Sequence, residues 1–273
     1  STSDGTVYQR NGFGPTVVLI HGLGMNRAMW QWQLPSLTNE FDVLTYDLWG
    51  HGESSNPPSR PSLRLFSNQL IGLLNEANVT TTGVVGFSIG GMIARRFAYD
   101  HPSRLSALAI LNSAHDRTQK ETEAVQTRAD QSRESGPNAM VDAALERWFT
   151  PPFRLNNPKT IALVRGWLEA NDPMVYPKIY RVLVEGNAEL VDMIKSIECP
   201  TLVMTSQNDH GNTPEMTHRM ADAIPGARSV ILPKLMHMAL AEDPDQINGH
   251  LLAFLRNALK IELTRTMDKL LQL

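Results

Sequence analysis

The sequence predicts an α/β fold: a mostly parallel sheet flanked by helices, with a helical cap insertion. Short, continuous apolar runs alternate with helix-like stretches in both halves of the chain. Between about residues 115 and 197 this alternation stops, and no strand-like run occurs there. Strands and helices that alternate at this spacing favour parallel pairing through right-handed crossovers.

The predicted strands are apolar runs that end at turns. They cover residues 16–20, 41–46, 82–86, 105–111, 201–205 and 229–232. The helices between them are indicated by apolar residues at a spacing of three or four. They cover residues 30–38, 64–78, 89–100, 214–224 and 243–259. Residues 1–14 are polar and Gly-rich, and no element is assigned to them.

The break in the alternation divides the chain into a core, residues 1–114 and 198–273, and a helical cap, residues 115–197. Residues 117–134 are rich in charge, which is typical of a solvated helical face. We expect the cap to lie over the C-terminal edge of the sheet. The tail, residues 260–273, alternates charge with leucine, so it either extends the last helix, contacts a partner or frays.

Composition narrows the classes of function. The chain has 273 residues, 42% of them hydrophobic, which suits one large domain. A formal charge of −3 gives no indication of nucleic acid or an anionic membrane as partner. One cysteine, Cys199, and no visible leader segment lead us to expect a cytoplasmic protein that acts on a small molecule. A homo-oligomer is left open.

The most informative stretch is Gly86-Phe87-Ser88-Ile89-Gly90, which places Ser88 in a G-x-S-x-G frame between a predicted strand and a predicted helix. A nucleophile elbow has this context. A hydroxyl on such a sharp turn brings backbone segments very close, and only glycine avoids a Cβ clash there. We therefore interpret Ser88 as a candidate nucleophile.

A serine hydroxyl needs a base to remove its proton, and the base needs an acid to orient it. Loops at the C-terminal ends of parallel strands converge on one crevice. Asp209 follows the strand at 201–205, and His237 follows the strand at 229–232. The sequence thus predicts a Ser88–His237–Asp209 triad. Asp116, which follows the strand at 105–111, is an alternative to Asp209.

The remaining histidines compete poorly with His237. His21 lies in the turn after the first predicted strand, where we interpret it as fixing the loop geometry. We interpret the others as loop or helix-surface residues: His51, His101, His115, His210, His218 and His250.

Two backbone amides are predicted to stabilise a developing oxyanion. One is the amide of Ile89, directly after the nucleophile, and the other comes from His21-Gly22-Leu23-Gly24, with Leu23 the preferred donor. No His, Cys or carboxylate cluster has the spacing of metal ligands, and no phosphate-binding glycine motif occurs. We therefore expect no metal and no cofactor.

From about Pro15 to Leu259 the chain resembles the α/β-hydrolase superfamily. The matching segments are 21–24, 47–54, 86–92, 208–209 with 213–214, and 237–238 with 242–244. The resemblance implies the α/β-hydrolase fold and a cofactor-free hydrolase. Within the superfamily the chain looks most like the 3-oxoadipate enol-lactonases, in three stretches: Gly90-Gly91-Met92, residues 144–150 and residues 225–228.

The enol-lactonase resemblance implies a serine esterase or lactonase that acts on a small carboxylated lactone from aromatic catabolism. Arg147 is then our candidate for binding the substrate carboxylate, beside Trp148, since a planar guanidinium suits that group. The alternative is that Arg147 is a solvated cap residue and Trp148 is cap core. Other reactions also fit the triad: carbon–carbon bond hydrolysis of a ring-cleavage product, or perhydrolase activity. A ligand receptor with slow turnover is an alternative of another class.

Overall fold

The computed structural model describes residues 1–260 of the chain. Within this range, seven strands form one sheet. They are β1 (Tyr8–Gly12), β2 (Thr16–Ile20), β3 (Asp42–Tyr46), β4 (Thr82–Phe87), β5 (Leu105–Leu111), β6 (Thr201–Ser206) and β7 (Arg228–Leu232). Their order is β1-β3-β2-β4-β5-β6-β7. Only the β1–β3 pair is antiparallel. The predicted α/β class and the mostly parallel sheet are confirmed.

The helices flank this sheet. Those of the core are α1 (Leu34–Leu37), α2 (Leu63–Glu76), α3 (Ile89–Asp100), α9 (Pro214–Ala223), α10 (Ala239–Glu242) and α11 (Pro244–Ala258). Those of the insertion are α4 (Gln119–Ser135), α5 (Val141–Trp148), α6 (Pro151–Asn156), α7 (Pro158–Glu169) and α8 (Tyr176–Met193). The insertion lies between β5 and β6 and contains no strand within the described residues. The division into two domains stays a prediction.

The core lies on both faces of the sheet because strand side chains alternate. Val18 and Ile20 belong to one buried cluster, which includes Phe97 of α3. Val17 and Leu19 belong to the other cluster, which includes Leu251 of α11. A strand apolar on both faces is what burial under two helix layers requires. The central strands are therefore held from both sides.

Strand pairing also sets where the loops meet. β2 and β4 run parallel, with Ile20 opposite Gly86. The segment after β2 and the turn after β4 therefore leave the sheet side by side. This register brings the predicted oxyanion loop next to Ser88.

Two predictions at element level differ from the structure. β1 was not predicted: it is a mostly exposed edge strand with no apolar face to show in the sequence. The helix predicted over 30–38 is a 3₁₀ helix over Arg27–Trp32 followed by the short α1, because Pro35 occupies the start of that second turn. The predictions for the tail concern residues from 261 onward, which lie outside the described part of the chain.

Candidate active site

Ser88 lies on a strained turn between β4 and α3. Its backbone has φ 56° and ψ −117°, a left-handed conformation that is rare outside glycine. The turn is held because the Ser88 amide donates to the Leu111 carbonyl at 2.9 Å, and the Ser113 hydroxyl donates to the Ser88 carbonyl at 2.8 Å. The C-terminal end of β5 therefore holds both the amide and the carbonyl of the strained residue.

The flanking glycines are a steric requirement. A Cβ on Gly86 would lie 2.3 Å from the carbonyl oxygen of Gly90. A Cβ on Gly90 would lie 2.3 Å from the carbonyl oxygen of Ile20. Real Cβ atoms do not approach backbone so closely, so α3 packs against β2 and β4 only without side chains at these two positions. The structure thus supplies the physical reason for the motif.

His237 follows β7 and is oriented by a carboxylate. Its Nδ1 lies 2.6 Å from Oδ2 of Asp209, which follows β6, and both side chains are buried. This short bond to a carboxylate leaves Nε2 as the nitrogen free to take a proton from a hydroxyl. The ring is also held by aromatic neighbours: Phe87, with centroids 4.8 Å apart, and Trp148, at 5.7 Å.

The Asp209 carboxylate accepts bonds from two asparagines as well as from His237. Asn112 Nδ2 donates at 3.0 Å, while the Asn212 backbone and side chain donate at 3.1–3.2 Å. Burial acts to raise the pKa of Asp209, but the charge of His237 and these hydrogen bonds outweigh it. The pKa of the carboxyl therefore lies below its ordinary value, and the carboxylate is ionised at neutral pH.

The alternative acid, Asp116, does not reach His237. Its side chain is about half exposed and its nearest cation is Arg219, at 3.7 Å. It follows β5 on a residue with φ 48°, where the chain turns away toward α4. Between the two candidates, the structure brings only Asp209 to the histidine.

The two predicted oxyanion donors lie on either side of Ser88. Leu23 lines the same cavity as Ser88, and Ile89 is the first residue of α3. Through residues 1–260 neither backbone amide donates a hydrogen bond to another protein group. Free N–H groups at a helix start and in a nearby loop are what an oxyanion requires.

Two buried histidines hold the Leu23 loop. The Leu48 amide donates to His21 Nε2 at 2.9 Å, and the Gly24 amide donates to His51 Nε2 at 3.0 Å. Each ring can accept such a bond only when it is neutral. Burial lowers the pKa of His21 to about 4 and, together with the charge of His21, that of His51 to about 3.

These bonds support the interpretation of His21 as a loop-fixing residue. His51 and His115 lie in loops, as predicted, but both are buried and neither is a surface residue; His51 lies behind the oxyanion loop. Asn112 and Asn212 also went unnoticed in the sequence. Asn112 directly follows the predicted strand 105–111, and this position after a strand is the one signal that could have identified it. Asparagine is common in loops, so the residue type alone does not indicate a role in the site.

A cavity of about 230 Å³ connects these groups. Its lining includes Ser88, His237 and Asp209, together with side chains from α4, α5 and α8. Arg147 and Trp148, the two residues predicted to bind substrate, both line it. Burial lowers the pKa of the Arg147 guanidinium, which nevertheless remains charged at neutral pH.

Further features concern ligands and membranes. Over residues 1–260, no group of three or more His, Cys, Asp or Glu side chains is arranged to hold a metal ion. None of the helices in the same range has both the length and the apolar composition of a membrane span.

Comparison with known proteins identifies the fold family. A profile of the family described as alpha/beta hydrolase fold matches residues 15–151. The chain is 29% identical over 250 residues to the (E)-2-((N-methylformamido)methylene)succinate hydrolase of Acinetobacter baylyi, covering 91% of this chain and 93% of that protein. It is 26% identical to the 3-oxoadipate enol-lactonase 2 of the same organism, covering 86% of each.

Among solved structures, the enol-lactonase from Burkholderia xenovorans LB400 is similar throughout. It superposes with a TM-score of 0.85 at 28% identity, covering 92% of this chain and 96% of that chain.

Proposed function

Because the chain belongs to the alpha/beta hydrolase fold family, we propose that it is a serine hydrolase that cleaves a small carboxylated ester or lactone. One observation carries the proposal: the Asp209-bound His237 shares a cavity with Ser88 on its strained turn. This combination supports nucleophilic catalysis through an acyl-enzyme. The relatives named as an enol-lactonase and as a hydrolase of a methylene-succinate compound support a small, anionic substrate.

The first half-reaction forms the acyl-enzyme. Ser88 Oγ attacks the carbonyl carbon as His237 Nε2 takes the hydroxyl proton. The Leu23 and Ile89 amides bind the oxyanion of the tetrahedral intermediate, and Asp209 stabilises the imidazolium. The intermediate collapses, the bond to the leaving oxygen breaks, and His237 gives its proton to that oxygen.

The second half-reaction hydrolyses the acyl-enzyme. A water molecule gives one proton to His237 and attacks the same carbonyl carbon, so that a second tetrahedral intermediate forms. Its collapse releases the carboxylic acid, and Ser88 regains the proton from His237. In a lactone, the leaving oxygen stays on the acyl chain, so one ring-opened molecule is the only product.

Substrate orientation is assigned to Arg147. Arg147 lines the cavity, so its guanidinium is a candidate to bind the substrate carboxylate in a bidentate manner. We expect Arg147→Ala to raise KM for an anionic lactone by about tenfold or more, the value of a charge-assisted hydrogen bond. An unchanged KM would refute this role.

The test compares a short nitrophenyl ester with an enol-lactone. We expect wild type to cleave both and to prefer the lactone. Ser88→Ala should reduce turnover of both by at least about 10³-fold. Ser103→Ala, which changes an exposed serine beyond the end of α3, is the matched control and should leave both rates unchanged.

The outcomes separate the alternatives. Cleavage of the ester alone would support the triad but not the lactone substrate. Ring-cleavage products and perhydrolysis would then be tested next. No cleavage of either compound by folded wild type refutes the proposed hydrolase and favours the receptor. Mass spectrometry of the protein during turnover should show an acyl adduct on Ser88.

A further inference from the structure

The cavity wall carries more positive charge than one substrate carboxylate needs. Arg117 from the segment before α4, Arg128 from α4 and Arg147 from α5 all line it. The single carboxylate beside them on the cavity wall is that of Glu121, apart from the His237-bound Asp209. Two guanidinium charges therefore lack a compensating group on the wall.

Within residues 1–260 these arginines have no ion-pair partners. Across the described range, residues 1–260, no carboxylate lies within 4.0 Å of any of the three guanidiniums. Arg117 donates to the carbonyl of Leu183 at 2.5 Å, and its buried Nε has no partner. Arg128 donates to the Tyr180 hydroxyl at 3.3 Å.

Glu121 does not supply the missing pair. Its carboxylate accepts from the Thr118 amide at 2.7 Å and from the Thr118 hydroxyl at 2.9 Å, so it caps its own helix. By contrast, Arg165 on the outer helix α7 pairs with both Asp142 and Glu169. Among the described residues, outer arginines of the cap such as Arg165 thus have acidic partners, while the three that line the cavity have none.

The three cations also affect one another. Burial, followed by the charge of Arg128, lowers the pKa of Arg117 to about 10. Burial and the charge of Arg128 also lower the pKa of Arg147. Partly buried like charges without counter-ions raise the free energy of the empty protein, and an anion that enters the cavity recovers this energy.

We propose that Arg117 and Arg128 form a second anion subsite beside Arg147, so that the preferred substrate is a small ester or lactone bearing two carboxylates. This inference rests on the proposed function only for the identity of the reacting bond. Arg147 binds one carboxylate, and the other lies between Arg117 and Arg128. The cavity volume of about 230 Å³ restricts both groups to a short carbon skeleton.

Binding is measured first, without turnover. The Ser88→Ala protein is titrated calorimetrically with glutarate and with pentanoate, which share one carbon skeleton and differ by one carboxylate. We expect glutarate to bind at least about tenfold more tightly, and the difference to shrink as salt is added. Equal affinities would overturn the second subsite.

Variants then locate the effect. In the Ser88→Ala background, Arg117→Gln and Arg128→Gln should each remove most of the preference for glutarate over pentanoate. Arg165→Gln, which removes an ion-paired arginine on α7, should leave the preference unchanged. A preference that survives both cavity variants overturns the assignment of the subsite to these residues.

Thermal unfolding separates a binding role from a structural one. Loss of an uncompensated cation should leave Tm unchanged or raise it, and glutarate should raise Tm of the Ser88→Ala protein but not of the variants. A large fall in Tm in both variants would mean that the arginines serve folding, and the proposal would fail. These measurements do not require hydrolysis. They therefore test the second anion subsite even if the serine-hydrolase proposal fails.

Discussion

The two buried histidines behind the oxyanion loop should make the free energy of unfolding fall with pH before most carboxylates are protonated. His21 and His51 each accept a backbone N–H bond through Nε2, and protonation removes that acceptor. In the unfolded chain a histidine has a pKa near 6.5, whereas in the folded protein His21 binds a proton only near pH 4. Between these values the unfolded state binds more protons, so the free energy of unfolding falls as pH drops.

The magnitude follows from this pKa difference. A pKa that moves from 6.5 to about 4 corresponds to about 3 kcal/mol for His21 alone. The full contribution is present above pH 6.5 and is lost as pH falls through 4. His51, with a pKa of about 3, extends the loss further into acid.

Urea unfolding at several pH values between 8 and 4 measures the effect. In His21→Gln the side-chain oxygen can still accept from Leu48, but the group does not titrate. We expect its unfolding free energy to fall by about 3 kcal/mol less than that of wild type over this range. His250→Gln, on the exposed face of α11, is the control and should follow wild type. Parallel pH profiles for His21→Gln and wild type would refute the reasoning.

Three further changes test the site and its frame. Asp209→Asn should lower kcat by about 10⁴-fold, because an amide neither fixes the required tautomer nor stabilises an imidazolium. Gly90→Ala should destabilise the protein by several kcal/mol through its clash with the Ile20 carbonyl, whereas Gly166→Ala, in open space on α7, should stabilise it by about 0.5–1 kcal/mol. Glu242→Gln should lower kcat by about tenfold, since one oxygen then replaces the two that accept from separate backbone amides.

For each of these three changes, one result would contradict the expected outcome. Wild-type kcat in Asp209→Asn would mean that the acid is not part of the catalytic machinery. Thermal scans that rank Gly90→Ala above Gly166→Ala would contradict the steric account of the elbow. For Glu242→Gln, a kcat that remains at the wild-type value while Tm falls would assign the carboxylate to stability alone.

Sequence reasoning was most successful where chemistry imposes a local rule. The glycines around Ser88 are required by contacts of 2.3 Å that any side chain would violate, so the motif carries its own explanation. Parallel strands bring their C-terminal loops together, so Ser88 and His237, which are far apart in sequence, could be assigned to one site from the sequence alone. The buried strands were recognisable for the same reason, since burial on both faces demands apolar runs.

The rest depends on tertiary contacts that leave no local pattern. Asn112 reaches Asp209 across 97 positions of sequence, and its amide looks like any loop asparagine. His51 is indistinguishable from a surface histidine until the loop after β3 folds over it. Arg117 and Arg128 appear in a charged segment that is typical of a solvated helix, although their guanidiniums face the cavity.

The loop that carries the base is attached to the cap by two hydrogen bonds, and a third bond, within the loop, fixes Glu242. The Met238 amide donates to the Trp148 carbonyl at 2.9 Å, and Glu242 accepts from Thr150 at 2.5 Å and from Met236 at 3.0 Å. The segment between α5 and α6 and the loop after β7 are thus joined directly by hydrogen bonds. Because the cap contributes backbone atoms to both bonds, we expect a replacement of residues 115–197 to keep the base in place only if it preserves the backbone path at residues 148–150. We therefore expect new specificities in this lineage to arise by substitution along the inner faces of α4 and α5, with the cap itself retained.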